Sequence, residues 1–413
     1  MRCVVVGAGI IGLSIAWELT RRGAEVVVLD PAPASGATRA AAGMLAAVSE
    51  FHYQELDLLN LSVPAARRWP GWAAELSDAS GVEPGFVARG TIAVAADSAD
   101  RETLADLRRA QSAAGMDVEE LTVRGARTAE PMLSPRLAGA FVAQSDGQTD
   151  PRRTAAALRE ALARSPGARF LSGTALRCVA GANPAVEYDG GRLACDEIVL
   201  AAGLGLRGAG RGAAPGAEAN GTWAGPLLEG LPTTLRLPVR PVYGDVLRLG
   251  TPHGGPRLAG TTIRGLVGGH GVYVVPRDSG EVVVGATERE DGRAAVSAGG
   301  VQRLLRDALR LVPVLGEFDL VESIARARPG TPDNLPLLGR AAPGLVVATG
   351  FHRHGVLLSP QAAAVVAELV GGQRAEDPPG GSGVGPSGPG PTRPAAFDPA
   401  PFDPAPFDPW RFS

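Results

Sequence analysis

The sequence predicts an α/β fold. A parallel sheet layered with helices carries a second, interleaved α+β unit whose sheet is mixed or antiparallel. Three observations predict it. The chain opens strand, glycine turn, helix, strand. Two later apolar runs each end in glycine, as parallel strands do at their carboxyl edge. Between them lies a block of β-branched segments separated by turn residues.

Taken in order, residues 3–6 are a short apolar strand and residues 7–12 a tight turn. Residues 13–22 have helical spacing, closed by Gly23 as a C-cap. Residues 25–29 ("EVVVL") complete a βαβ unit. The same buried-strand character returns at 197–203 ("EIVLAAG") and 344–350 ("GLVVATG"), so three strand ends converge on one crevice. Residues 240–249, 271–277 and 280–287 read as antiparallel strands with a hairpin at "DSG", and residues 91–97 are expected in the same sheet. An apolar helix starts near Gly355. Residues 325–339 ("ARARPGTPDNLPLLG") hold three prolines and two glycines and read as a rigid loop presenting Arg328.

A chain of 413 residues exceeds one ordinary core. The expected division is 1–50, 140–210 and 325–370 for a dinucleotide-binding domain, and 51–139 with 235–324 for a substrate-binding domain. The glycine-rich residues 205–221 are expected to be mobile, and residues 211–234 are expected as a flexible loop. Residues 371–413 are expected as a disordered Pro/Gly-rich tail. That tail repeats FDP at Phe397, Phe402 and Phe407, which reads either as low-complexity drift or as a short binding motif for an unknown partner.

A net charge of -3 gives no electrostatic case for nucleic acid or an anionic membrane. No run reaches the ~18 unbroken apolar residues of a membrane span. The apolar N-terminus carries fixed glycines and no small-residue cleavage site, unlike a signal peptide. Cys3, Cys178 and Cys195 form no CxxC pair and the histidines have no ligand spacing, so no disulfide framework or metal is expected and a reducing cytoplasm fits. A homo-oligomer is left open.

Gly7, Gly9 and Gly12 form G-x-G-x-x-G between a strand and a helix. Gly7 permits the turn, Gly9 leaves room for a pyrophosphate, and Gly12 lets helix and strand pack closely. Asp30 ends the next strand, where it can accept ribose hydroxyls. The motif alone does not choose between NAD and FAD. Residues 35–45 ("SGATRAAAGML") suit backbone approach to a second phosphate or a flat ring, or a tightly packed helix start. The helix N-terminus near Gly355 favours a flavin, whose reduced ring carries negative charge that such an end stabilises.

Together "VVVGAGIIGLSIAWEL", "GATRAAAGML", "RPVYGDVLRL", "VYVVPR", "VVVGAT", "RPGTPDNLPLLG" and "VVATGFHRHGVLLSP" resemble the D-amino-acid-oxidase-type FAD enzymes, and among them most the glycine oxidases of the thiamine pathway. The resemblance is colinear over residues 1–370. It implies a Rossmann-like FAD-binding domain, non-covalent FAD, a small amino-acid or amine substrate, and molecular oxygen as electron acceptor. It places the substrate-carboxylate arginine on Arg328, the tyrosine that shares that carboxylate on Tyr273, and a flavin-side arginine on Arg353. For the cofactor it implies Gly7, Gly9, Ile10, Ile11, Gly12, Asp30, Pro31, Thr38, Arg39, Ala42, Gly43, Met44, Leu176, Gly203, Gly350, His352, Arg353, His354, Gly355, Val356 and Leu357.

Plainer roles stand beside these: Arg328 bracing its loop through Asp333, Tyr273 as an ordinary strand aromatic, Arg353 as a surface charge. Arg326 reads as a solvated or structural charge. The implied reaction is oxidation of glycine to glyoxylate, ammonia and hydrogen peroxide. The alternatives are a D-amino-acid or sarcosine oxidase, a flavin dehydrogenase with another acceptor, and a flavin-binding interaction protein without catalysis.

Overall fold

Short β-branched runs set between tight turns assemble here into two large sheets, and the chain passes between them several times. The structure, a computed structural model, describes residues 1–51, 53, 55–208, 227–231, 235–372 and 403–412.

The first sheet has six strands, in the order Leu337–Ala342, Leu345–Thr349, Glu197–Leu200, Arg2–Val6, Glu25–Leu29 and Ala168–Leu171. Every pairing is parallel except that of Leu337–Ala342 with Leu345–Thr349. The continuous apolar runs follow from burial on both faces. Helices Ile10–Arg21, Leu56–Ser80, Pro151–Ala163 and Gly355–Gly371 contribute to the core on one side. On the other side packs a small sheet in the order Gly191–Ala194, Ala185–Tyr188, Ala175–Val179 and Leu227–Glu229.

The second sheet has eight strands, in the order Asp319–Gly330, Arg240–Gly250, Glu281–Gly285, His270–Pro276, Thr262–Val267, Thr91–Ala95, Gly139–Ala143 and Val118–Leu121. It is antiparallel except where Thr262–Val267 meets Thr91–Ala95. The hairpin expected at "DSG" joins His270–Pro276 to Glu281–Gly285. Helix Ala298–Leu311 helps cover the sheet through Leu304, Ala308 and Leu311.

Several expectations are corrected. Residues 325–330 are not loop; they end the strand Asp319–Gly330, and only residues 331–336 turn before the next strand. Proline is tolerated there because the strand is the sheet's edge, and Pro329 faces Pro241 across the ladder. Within the expected flexible loop, Leu227–Glu229 pairs in parallel with Ala175–Val179; residues 209–226 and 232–234 lie outside the described residues.

Helix Leu56–Ser80, expected with the substrate-binding unit, packs instead on the parallel-sheet side. Its Trp69 stacks edge-on to Trp72 at 4.9 Å and donates to the Leu357 carbonyl at 2.8 Å. Strand Gly139–Ala143, expected with the dinucleotide-binding unit, lies in the eight-stranded sheet. The segment His352–Gly371 is by length and composition apolar enough to cross a membrane, though polar residues interrupt it, and it is mostly buried inside the fold as a core helix.

The tail is not disordered throughout. Residues 403–412 form two short 3-10 turns, Ala405–Phe407 and Pro409–Phe412, and Phe407 is fully buried in the helical core. An aromatic ring set between prolines that limit backbone freedom docks at reduced entropic cost. Phe397 and Phe402 lie outside the described residues.

Candidate active site

A cavity of about 660 Å³ runs from the first glycine turn, past the carboxyl ends of the parallel strands, to the face of the eight-stranded sheet. Gly7 (φ 106°) turns the chain hard against the Ala201 carbonyl. A Cβ on Gly12 would strike the Gly7 carbonyl at 1.9 Å, so glycine there sets the helix against the strand. Asp30 accepts from the Ala8 amide at 2.7 Å and from the Ala32 amide at 2.7 Å. Burial raises its pKa, against the pull of those two amides.

Of the residues named from sequence, Gly7, Gly9, Ile10, Ile11, Asp30, Pro31, Thr38, Ala42, Gly43, Met44, Gly203, Tyr273, Arg328, His352, Arg353, Gly355 and Val356 line this cavity. Thr38 also accepts from the Ile10 amide at 3.0 Å, tying the small-residue segment to the helix start. Six do not line it. Gly12 packs behind the turn. Arg39 points outward and pairs with Glu322 at 3.5 Å. Leu176 is 52% exposed on the small sheet. Gly350 backs onto Thr331, while His354 and Leu357 are buried beneath the cavity wall.

At the sheet end of the cavity, Arg328 is offered by an edge strand and Tyr273 by a central one. Space for each comes from a glycine on a neighbouring strand. A Cβ on Gly244 would lie 2.6 Å from Arg328 Nη1, and one on Gly285 would lie 2.3 Å from the Tyr273 hydroxyl. Arg328 touches the Thr287 carbonyl at 3.4 Å. Asp333, the brace considered for it, pairs instead with Arg411. Burial pushes the Tyr273 phenol up, so it remains a donor at neutral pH.

Arg353 lines the cavity but is held by both Glu55 oxygens at 2.6 Å. Arg326, read from sequence as a solvated or structural charge, also lines the cavity, where it donates to the Ser35 carbonyl at 3.1 Å and the Ala325 carbonyl at 2.8 Å. His352 adopts a left-handed backbone (φ 45°), and neither ring nitrogen has a hydrogen-bond partner. Burial, then the charges of Arg353 and Arg328, lower its pKa to about 3.

Sequence reasoning missed Glu50, Arg264, Gly244 and Gly285. Arg264 lies directly across the ladder from Tyr273 and pairs with Glu50 at 2.5 Å. Burial works against the charge on Glu50, yet Arg264, His354 and Arg353 hold its pKa down to about 2. No motif marks Glu50 or Arg264, and although Gly244 and Gly285 lie within matched segments, their role emerges only once the strand register is set.

The sequence profile described as "FAD dependent oxidoreductase" matches residues 2–369. The chain belongs to the FAD-dependent oxidoreductases. Its relatives include a glycine oxidase of Geobacillus kaustophilus, 34% identical over 89% of this chain and 92% of that protein. A bifunctional protein ThiO/ThiG of Synechocystis is 32% identical over 89% of this chain, which spans about half (51%) of that protein. Among solved structures, glycine oxidase from Geobacillus kaustophilus superposes with a TM-score of 0.79 at 32% identity, covering 99% of both chains. Iminodiacetate oxidase from Chelativorans gives 0.73 at 26% identity, covering 91% of this chain and 97% of that one.

FAD is the family's cofactor, and the cavity fits it. Gly36 and Gly203 line the cavity with no atom within 4 Å of where a Cβ would stand, and Gly9 meets only Thr38 Oγ1 at 3.6 Å. The extended ligand therefore has backbone to lie along. Cys3, Cys178 and Cys195 do not line the cavity.

Proposed function

We propose that the protein oxidises a small amino acid, glycine foremost, to glyoxylate and ammonia with formation of hydrogen peroxide, and that this feeds the thiazole branch of thiamine biosynthesis. One observation carries the reading. Arg328 reaches the cavity beside the neutral Tyr273 hydroxyl, and among the described residues no carboxylate pairs with it. A guanidinium placed so is a two-pronged receptor for a substrate carboxylate. Relatives named as glycine oxidases support the choice of substrate.

FAD, held along the glycine turn and the small-residue segment, would supply the two-electron acceptor for the substrate and the donor for oxygen. The protein's part is positioning. Arg328 and Tyr273 fix the carboxylate, which orients the neighbouring Cα–H bond. Gly244 and Gly285 keep those two side chains clear of their strands. His352 stays neutral at physiological pH and so adds no positive charge against a substrate ammonium. The amine must shed its ammonium proton before oxidation, and the cavity's opening toward solvent gives that proton a way out.

The test is anaerobic bleaching of the flavin band near about 450 nm with glycine, sarcosine and larger D-amino acids. Glycine should bleach it fastest, and aerated buffer should restore it with peroxide. A band that keeps its intensity with every amine overturns the proposal. Recovery only with an added carrier identifies a dehydrogenase.

A further inference from the structure

The C-terminal segment docks on the turn that follows the strand carrying Arg328. Asp333 is the hub of the 331–336 turn. Its Oδ1 accepts from Thr331 Oγ1 at 3.0 Å and from the Leu335 amide at 3.0 Å. The same carboxylate takes both prongs of Arg411, from Nε at 2.8 Å and Nη2 at 3.0 Å. Arg411 also donates to the Leu335 carbonyl at 2.7 Å and the Pro336 carbonyl at 3.1 Å. Asp333 is partly buried, which opposes its charge, but Arg411 keeps its pKa lowered. Pro409 lies so close to Gly339 that a Cβ there would meet its ring at 2.7 Å. Phe407 anchors the other end in the core.

This contact is specific to one copy of the repeat. Phe397 and Phe402 are each followed by Asp-Pro-Ala-Pro, whereas only Phe407 is followed by Asp-Pro-Trp-Arg-Phe. Trp410, Arg411 and Phe412 follow only this copy. The turn Arg411 grips starts one residue after the strand end that carries Arg328, whose backbone pairs with Val242 and whose guanidinium donates one long hydrogen bond, to the Thr287 carbonyl. Arg240 closes the link, since it pairs in register with Gly330 and donates to Asn334 Oδ1 at 3.1 Å.

We propose that Arg411 is a positioning residue: residues 403–412 form a clip that fixes the 331–336 turn and thereby holds Arg328 where a substrate carboxylate meets it. The proposal rests on the amino-acid reading for its substrate, and on the structure alone for the clip.

The test uses the full-length, FAD-loaded protein as wild type, Arg411→Ala and Arg411→Lys. Hydrogen exchange is followed across residues 326–337, and acetate, a carboxylate without an amine, is titrated by the perturbation of flavin absorption. In Arg411→Ala, exchange at 326–337 should accelerate and acetate binding weaken, each by about tenfold, as expected for loss of a charged hydrogen-bonded pair. FAD content and exchange in the strand Arg2–Val6 should not change. Arg411→Lys keeps the charge without the fork and should fall between.

Unchanged exchange, or faster exchange with unchanged acetate affinity, overturns the proposal. So does loss of FAD with faster exchange throughout both sheets in both variants, which makes the contact structural only. A wild type that ignores acetate sinks the amino-acid reading instead, and exchange at 326–330 then decides the clip.

Discussion

On the proposed function, Arg328 is the residue on which substrate binding turns. Replacing it with alanine removes a charge-assisted two-pronged contact of about 2–4 kcal/mol. The expected result is a fall in kcat/KM for glycine of roughly 30- to 1,000-fold, carried mainly by KM, with FAD retained; steady-state kinetics beside the visible spectrum check it. Arg328→Lys should recover part of this, because a lysine offers charge without the planar fork. The place of Arg328 and Tyr273 in the cavity wall was legible in the sequence because each sits in a motif. The pair Arg264–Glu50 was not, because its members are far apart in the chain and meet only through a cross-strand register. Arg39 misled for the opposite reason: it lies within a cofactor motif, but its side chain turns out to Glu322.

At the scale of elements, the site depends on strands that approach closely where they lack side chains. Gly244→Ala would bring a methyl to 2.6 Å from the Arg328 guanidinium and 2.8 Å from the Thr287 carbonyl. The guanidinium is a mobile group and will move first, so acetate should bind more weakly while FAD content stays at the wild-type level. Equal acetate affinity in variant and wild type would mean that carboxylate binding does not depend on the space Gly244 leaves open. The strands and the first helix were readable from periodicity and caps. The strand Asp319–Gly330 was hidden by its proline, since local composition reports turn chemistry and says nothing about whether a strand will be an edge. The docked tail was hidden for a similar reason. Low complexity hides a single ring that finds a pocket, and Phe407 is spelled the same way as Phe397 and Phe402.

For the whole molecule, the buried imidazole makes stability depend on pH. The folded pKa of His352, about 3, lies below its ordinary value of 6.5, so the unfolded chain binds the extra proton first. Its contribution is therefore complete above pH 6.5 and declines as pH falls from there toward 3. Glu50 has a folded pKa of about 2 against an ordinary 4.5, so its contribution is lost only as pH falls from 4.5 toward 2. Thermal unfolding across pH 4.5 to 7.5 should show a decline that His352→Phe flattens and Glu50→Gln does not; identical pH slopes for wild type and His352→Phe would remove the imidazole from the account.

The strand that carries Arg328 is also one rim of an open sheet. A rim exposes unpaired backbone donors and acceptors to any other extended chain, and natural proteins blunt such borders. Pro329 lacks the donor, and the charged residues of the same strand, Asp319 and Glu322, discourage stacking. The ring that disguised this stretch as a loop thus withholds one rung from any second extended chain that would lengthen the sheet.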